Sequence, residues 1–427
     1  MASIIVTGGR PLTGTVRVGG AKNSALKLMA AALLAPGASV IRNVPDISDV
    51  AVMAQVLEGL GAKVVREDHS VRVDATAITS LETPYELVAQ MRASIVVLGP
   101  LVARFGRARV AMPGGCNIGS RKIDMHIHGL EHLGVRIAFE HGYIDATAPD
   151  GLTGSHVLLD FPSVGATENL LMAAVLAEGT TVIENAAREP EIGDLVDMLI
   201  GMGAQIEGRG SSTLTIRGVR QLEPVTHTTV GDRIEAGTYL VAGALGGGPV
   251  TVTGFDPAHL EMVLVKMRLA GCEFELLPDG AIVRRTGPIK PVDVATLPYP
   301  GFPTDMQAQF MALVSLAEGD SVITENVFEN RFMFADEIKR MGAHVDIEGH
   351  RALVRGVPAL SGAPVRSPDL RGGAALVLAA LVAEGETEVS DVHHIMRGYE
   401  DFSGKLVALG ADVRLMEDPH DGGHAAG

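Results

Sequence analysis

At 427 residues the chain is longer than one ordinary hydrophobic core supports, which points to two domains. Hydrophobic residues make up 47% and charged residues 20%, the balance of a well-buried globule, and a formal net charge of −16 disfavours nonspecific nucleic-acid binding, which needs a basic surface. The longest apolar runs, such as Ala374 to Ala383, are too short to span a bilayer, and two cysteines, Cys116 and Cys272, make no disulfide framework. Aromatics are 4% and Trp is absent, so the core must be built from Ala, Val, Leu, Ile and Met. The opening MASIIVTGGRPLTG lacks a basic stretch followed by an apolar one, so a cytoplasmic protein is the expectation. A local cationic pocket can still take an anionic small substrate against the global sign.

The first predicted element is a strand over SIIVTGG, ahead of a series of repeats. The segments GLGAKV, HLGVRI, GMGAQI, LAGCEF, RMGAHV and ALGADV place aligned glycines at 61, 134, 203, 271, 342 and 410, spaced by 73, 69, 68, 71 and 68 residues. Each repeat begins with an apolar helix: KNSALKLMAAALL, MRASIVVLGPLVA, TENLLMAAVLA, EAGTYLVAGAL, DMQAQFMALVSLA and RGGAALVLAALVA. A turn and a short strand follow, then a second, more amphipathic helix that ends at the motif glycine, then one or two further strands. A helix apolar all round must be buried on most faces, while alternating strands leave one sheet face to solvent. The pattern predicts an α/β fold of two domains, each an inside-out α/β barrel of three repeats with helices inside and sheets outside. An ordinary α/β sandwich of repeated units is the alternative that the pattern leaves open.

The segment GVRQLEPVTHTT reads as a linker between the third and fourth repeats. The expected domains are 22–229, and 1–21 together with 230–418, the opening strand completing the sixth repeat. Residues 419–427, PHDGGHAAG, read as a flexible tail.

Polar departures recur at equivalent places in the repeats. The heads of the first helices carry Lys22 and Asn23, Arg92, Ser163, Arg233, Asp305, and Asp369 with Arg371. The turns before the second helices carry Asp49, Cys116 with Arg121, Arg188, Arg331 and Arg397. Facing domains would gather Lys22, Arg92, Arg121, Arg331, Arg371 and Arg397 on one cleft, where they would repel one another unless an anion is bound. Phosphate or carboxylate groups are the natural ligands. Cys116 lies among Gly114, Gly115 and Gly119, and Arg121 and Lys122 nearby favour its thiolate. Cys272 stands at the motif alanine position and reads as a small core residue. GGAKNSALK lacks the ending of a phosphate loop, and His126, His128 and His132 in HIHGLEH lack the spacing of a zinc protease.

The ordered set GGAKNSAL, MRAS, PGGCNIGSR, VGATENL, GDRIEAGTYL, GFPTDMQAQ, ENRF, DLRGGAAL and HIMRGYE resembles the enolpyruvyl transferase family, over about Gly9 to Val413. Within the family, the PGGC loop and GFPTDMQAQ match the nucleotide-sugar branch. The resemblance implies transfer of enolpyruvate from phosphoenolpyruvate to the 3-hydroxyl of UDP-N-acetylglucosamine, the first committed step of peptidoglycan synthesis. It implies no metal or organic cofactor, and no nucleic acid or membrane as partner. It assigns the phosphoenolpyruvate phosphate to Lys22, Arg121 and Arg397, with Arg331 and Arg371 in the same anion-binding set beside Asp369. It assigns the UDP-sugar to Asn23, Arg92, Ser163, Val164, Gly165, Asp305 and Val327, and to the stretch Arg121, Lys122, Ile123, Asp124 and Met125. Asp305 is the implied base, and Cys116 the loop cysteine that fosfomycin alkylates. Lys122, Phe334 and Met396 depart from the family's common proline, histidine and aspartate. A paralogue acting on another uridine nucleotide or on shikimate 3-phosphate is the enzymatic alternative, and a non-catalytic repeat scaffold or clamp the other one.

Overall fold

Each of the six motif glycines ends a helix in the left-handed region. In the computed structural model, which describes residues 2–112 and 123–416, Gly61, Gly134, Gly203, Gly271, Gly342 and Gly410 have φ between 90° and 103°. The glycine N–H bonds to the carbonyl three residues back at 2.9–3.0 Å, and the next N–H to the carbonyl five residues before it at 2.9–3.3 Å. These are the two bonds of the Schellman motif, and they satisfy helix-end carbonyls that would otherwise have no partner. Any side chain here would strain the backbone, which accounts for the glycine in every repeat.

The first helices of the repeats are α1 (Lys22–Ala31), α2 (Leu98–Phe105), α3 (Val164–Ala174), α4 (Arg233–Gly246), α5 (Gln307–Val314) and α6 (Leu370–Ala380). In α4 every residue from Arg233 to Leu245 is buried, and so is every residue of α5 and every residue of α6 after Leu370. Two of the predicted helices are broken at their heads. In MRASIVVLGPLVA, a 3₁₀ stretch Arg92–Val97 precedes α2, and Pro100 falls in the first turn of α2, where its missing N–H costs no helical bond. In the fifth repeat a 3₁₀ turn, Thr304–Met306, precedes α5.

The described residues form six sheets, and the strand order explains how repeats join. In each of the first five repeats the first strand pairs antiparallel with the third, and the third with the second. A parallel strand handed on from elsewhere in the chain flanks the first one. His156–Leu158 flanks Thr180–Glu184, Val294–Ala295 flanks Asp320–Thr324, and Pro364–Arg366 flanks Glu386–Ser390. In the second repeat the same place holds a single parallel bridge, Glu82 to Arg109. The ends of the series are closed by distant segments. Thr226–Thr228 lies parallel on Ala38–Arg42 of the first repeat. Gly14–Arg17 lies parallel on Val250–Thr253 of the fourth. Ser3–Thr7 is the central strand between Glu386–Ser390 and Asp412–Met416 in the sixth. Strands alternate in burial, as in Thr213–Arg217, where Leu214 and Ile216 point inward.

The chain divides into two compact units. Among the described residues, one comprises residues 2–19 and 231–416, and the other residues 20–112 and 123–230. Each has its own hydrophobic core. In the first, α4, α5 and α6 pack pairwise on one another. Among the described residues no helix is long and apolar enough to cross a membrane.

Deleting residues 2–8 removes a central strand and the buried Ile4 and Val6. A cost of about 3–6 kcal/mol is expected for those two side chains alone. Hydrogen exchange should lose protection in Glu386–Ser390 and Asp412–Met416 while Thr180–Glu184 keeps it. Unchanged protection would mean that the strand is dispensable.

Candidate active site

In the unit from Gly20 to Val230, the head of α1 is held by carboxylates. Lys22 Nζ lies 2.8 Å from Asp49 Oδ2, and both side chains are largely buried. Asp49 is in the first turn of the helix Ser48–Gly59, where the helix terminus favours a negative group. Asp194 is a second anchor. It accepts from the Ser24 hydroxyl and, at 3.1 Å, from Val230 N–H, and its other oxygen lies 2.7 Å from His227 Nε2. One turn into α1, Lys27 donates to the Asn23 carbonyl at 2.9 Å and lies 3.4 Å from Glu168, which is wholly buried. Burial pushes the Glu168 carboxyl up to about 7; Lys27 pulls it down, and Glu191 and Glu189 push it further up.

The head of α3 presents backbone to its surroundings. Ser163 caps it by accepting from Ala166 N–H at 3.3 Å, and Val164 and Gly165 are its first residues. A Cβ on Gly165 would stand 3.1 Å from the His126 ring, so a larger residue there would require the ring to give by a few tenths of an ångström. His126 Nδ1 accepts from Asn169 at 2.9 Å, and the Asn169 amide also reaches Ile95 O and Gly99 N. Asn169 thus joins α3 to α2 and to the helix Asp124–His132. Ile123 precedes that helix; Asp124, exposed, and Met125 open it. Arg92 begins the 3₁₀ stretch before α2. Cys116, Arg121 and Lys122 lie outside the described residues.

In the other unit a carboxylate sits between two buried guanidiniums. Asp305 Oδ1 is 2.8 Å from Arg331 Nη2, and Oδ2 is 3.2 Å from Arg371 Nη2 and 3.3 Å from its Nε. Arg331 and Arg371 are about 95% or more buried, and the Asp305 side chain keeps 24% exposure. Asp305 lies in the 3₁₀ turn Thr304–Met306, whose N-cap is Pro303. Asp369 is instead the capping residue of α6, accepting from Arg371 N–H at 2.8 Å and Gly372 N–H at 3.0 Å. Burial works against the Arg371 charge, but Tyr399, Asp305 and Asp232 outweigh it and hold the guanidinium charged. The Tyr399 ring lies 5.1 Å from it, and burial raises the Tyr399 phenol.

Sequence reasoning missed the residue that organises this corner. Glu325, buried, takes the Thr296 hydroxyl, Val327 N–H and Phe328 N–H on one oxygen at 2.8–3.1 Å and the Thr304 hydroxyl on the other at 2.9 Å. It sits in a polar-looking stretch, DSVITEN, and only its burial reveals it. Arg397 follows the short helix His393–Met396 and is half-buried, while Met396 is exposed. Burial, then the neighbouring His393 and Arg397 charges, lowers the His394 pKa. Phe334 fills the core, and a Cβ on Gly372 of α6 would meet it at 2.8 Å. Arg233 is buried with its guanidinium near the Tyr299 ring, and Arg188 is exposed. Cys272 is buried, which raises its thiol to about 12.

The expectation that these cations need a bound anion requires correction. Lys22, Arg331 and Arg371 each already face a carboxylate of the chain, because an unpaired buried charge would cost several kcal/mol, order of magnitude. Among the described residues no three His, Cys, Asp or Glu side chains are grouped to hold a metal ion.

Comparison with known proteins agrees with this organisation. The family model described as EPSP synthase (3-phosphoshikimate 1-carboxyvinyltransferase) matches residues 6–406. A UDP-N-acetylglucosamine 1-carboxyvinyltransferase of Corynebacterium jeikeium is 54% identical over 97% of this chain and 99% of its own length. One of Desulfosudis oleivorans is 55% identical over 97% of this chain and all of its own length. The chain belongs to the enolpyruvyl transferase family. Among solved members, the enolpyruvyl transferase NikO from Streptomyces tendae superimposes with a TM-score of 0.88 at 30% identity, over 98% of this chain and 99% of its own. EPSP synthase from Acinetobacter baumannii, at 16% identity and a TM-score of 0.75 over 98% of this chain and all of its own, shares the fold.

The Glu168 shift has a sign that can be tested. A carboxyl raised above its ordinary 4.5 keeps a proton in the folded state that the unfolded chain has released. Its stabilising contribution is therefore full below about pH 4.5 and is lost as pH rises through 7. Between pH 5 and 8, Glu168→Gln should lose about 3 kcal/mol less stability than the parent in urea melts. Parallel profiles would place the titration elsewhere.

Proposed function

We propose that the chain transfers enolpyruvate from phosphoenolpyruvate to the 3-hydroxyl of UDP-N-acetylglucosamine, with release of phosphate, and so opens peptidoglycan synthesis in the cytoplasm. The observation that carries this reading is full-length identity of 51–55% to relatives named for that reaction. Each unit is read as an inside-out barrel of three repeats. The wholly buried first helices, the alternating strands and the distant segments that close each series support it.

The chemistry follows from the residues. The sugar hydroxyl oxygen attacks C2 of phosphoenolpyruvate while C3 takes a proton, and the hydroxyl proton passes to Asp305. The resulting carbon carries both phosphate and carboxylate. Loss of a C3 proton and of phosphate then restores the double bond in the product. Lys22, Arg121 and Arg397 are assigned to the phosphate, and Arg331 and Arg371 to the same anionic group. Cations fixed in advance stabilise the intermediate without reorganisation. An incoming anion competes with Asp305 for the Arg331 and Arg371 donors, which frees a carboxylate oxygen to accept the proton. Asn23, Arg92, Ser163, Val164, Gly165, Val327 and the stretch 121–125 are assigned to the UDP-sugar. Cys116 is assigned to closure of its loop over the substrates, with its thiol as proton donor.

The purified chain should release phosphate from phosphoenolpyruvate with UDP-N-acetylglucosamine and not with shikimate 3-phosphate. The reverse preference would overturn the assignment. Asp305→Asn should cut turnover by about 10²–10⁴-fold, the usual worth of a general base, while the UDP-sugar binds within about tenfold of normal in calorimetry. Turnover near normal rules out Asp305 as the base. Cys116→Asp, which keeps a proton donor, should stay active and resist fosfomycin. Alkylation of that variant at the same rate would put the reactive group at another residue.

A further inference from the structure

We propose that Glu325 and Thr304 form a relay that positions Arg331 against Asp305, so that both are positioning residues for the reaction. The inference rests on the functional reading given above and adds residues to it. Thr304 Oγ1 donates to Glu325 Oε2 at 2.9 Å and accepts from Arg331 Nη1 at 3.3 Å. Arg331 Nη2 then meets Asp305 Oδ1 at 2.8 Å. The hydroxyl has one proton. Because Glu325 can only accept, that proton points to Glu325, and the lone pairs of Oγ1 are left for the guanidinium. A carboxylate at the far end therefore sets the direction of the next bond.

Glu325 has a separate task on its other oxygen, where Val327 N–H and Phe328 N–H bind at 2.8 and 3.1 Å and fix the turn after the strand Asp320–Thr324. The Phe328 ring lies 5.5 Å from the Arg331 guanidinium, so the turn also walls one side of that cation. One buried carboxylate thus sets both the loop that bears Val327 and the arginine that holds Asp305. The two oxygens separate these tasks, and substitutions can address them one at a time. In Glu325→Gln the retained oxygen can still accept from the turn. The amide group would present N–H to Thr304 Oγ1, its hydroxyl proton would turn toward Arg331, and two donors would face each other. Thr304→Val removes the acceptor without touching the turn, and Thr304→Ser restores it.

The test compares these three variants with the parent in steady-state phosphate release and in thermal melts. Glu325→Gln and Thr304→Val are expected to lower kcat by up to about 100-fold, as for a catalytic group displaced by an ångström, with the KM for UDP-N-acetylglucosamine little changed. Thr304→Ser should recover most of the parent kcat. Full kcat in Thr304→Val, or a Thr304→Ser variant as slow as Thr304→Val, overturns the relay. A second measurement needs no turnover. In a double-mutant cycle read by urea denaturation, Glu325→Gln and Arg331→Lys should be non-additive in the parent and additive in the Thr304→Val background. Additivity in both overturns the relay even if the chain fails to use these substrates. Inactivity of the parent with coupling intact would instead count against the functional reading alone.

Discussion

The fold depends on helices that are buried on every face. Helix α4 runs from Arg233 to Leu245 without an exposed residue, and α5 is buried throughout. An unpaired charge in the middle of such a helix would have no water, and the cost of desolvating it would far exceed a hydrophobic side chain's gain, so the charges found there are paired, as Lys27 of α1 is with Glu168 of α3. Other polar groups stand at the helix heads, among them Lys22, Ser163, Asp305 and Arg371. There the chain turns, unpaired backbone N–H groups are available, and carboxylates from the neighbouring turn can reach. The same constraint favours Ala, Gly and Ser on the inner helices, because three of them must pack together. It also explains why aromatic residues are few.

Pushing charge to the helix heads creates a second problem, which the molecule solves with built-in counter-ions. Arg331 and Arg371 are both buried, and at an effective dielectric near 20 two like charges a few ångströms apart repel by about 4 kcal/mol. Asp305 between them turns that repulsion into two attractions. Asp49 does the same for Lys22. Glu325 and Asp194 do a different job. Each is a buried carboxylate that accepts several protein donors, and so converts ionic character into geometry: Glu325 fixes the turn at Val327, Asp194 fixes Ser24 of α1 against Val230.

What the sequence made legible follows the same physics. The six glycines could be read because a left-handed helix end admits almost nothing else, and a rule without exceptions leaves a periodic mark. The residues at the helix heads could be read because they interrupt apolar runs. Glu325 and Asp194 could not. Both lie in segments already polar enough to hide them, DSVITEN and PEIGDLVDML, and what distinguishes them is burial, a property of the folded chain. The 3₁₀ stretch before α2 was concealed for the opposite reason. From Ile95 onward MRASIVVLGPLVA is apolar without interruption, so hydrophobicity gave no sign of where regular α-helix begins, although Pro100 marks its first turn. The cations looked as though they awaited a ligand because their partners, Asp49 and Asp305, were read as separate features of other segments.

A carboxylate that neutralises two guanidiniums has its oxygens already occupied, and the proposed role of Asp305 as base makes sense as an exchange. The resting site stores its cations against Asp305 at little electrostatic cost. When a carboxylate or phosphate of comparable charge arrives at Arg331 and Arg371, each guanidinium can turn its fork to the newcomer, and the attraction lost by Asp305 is regained by the ligand. Asp305 is then left beside cations whose charge is spent elsewhere, with an oxygen free to accept a hydrogen bond, so that in the proposed mechanism proton removal follows substrate binding. For that exchange to work Arg331 must stay in register while its partner changes. A neutral acceptor at Thr304, itself locked by the Glu325 carboxylate, supplies a fixed point that does not compete for the charge.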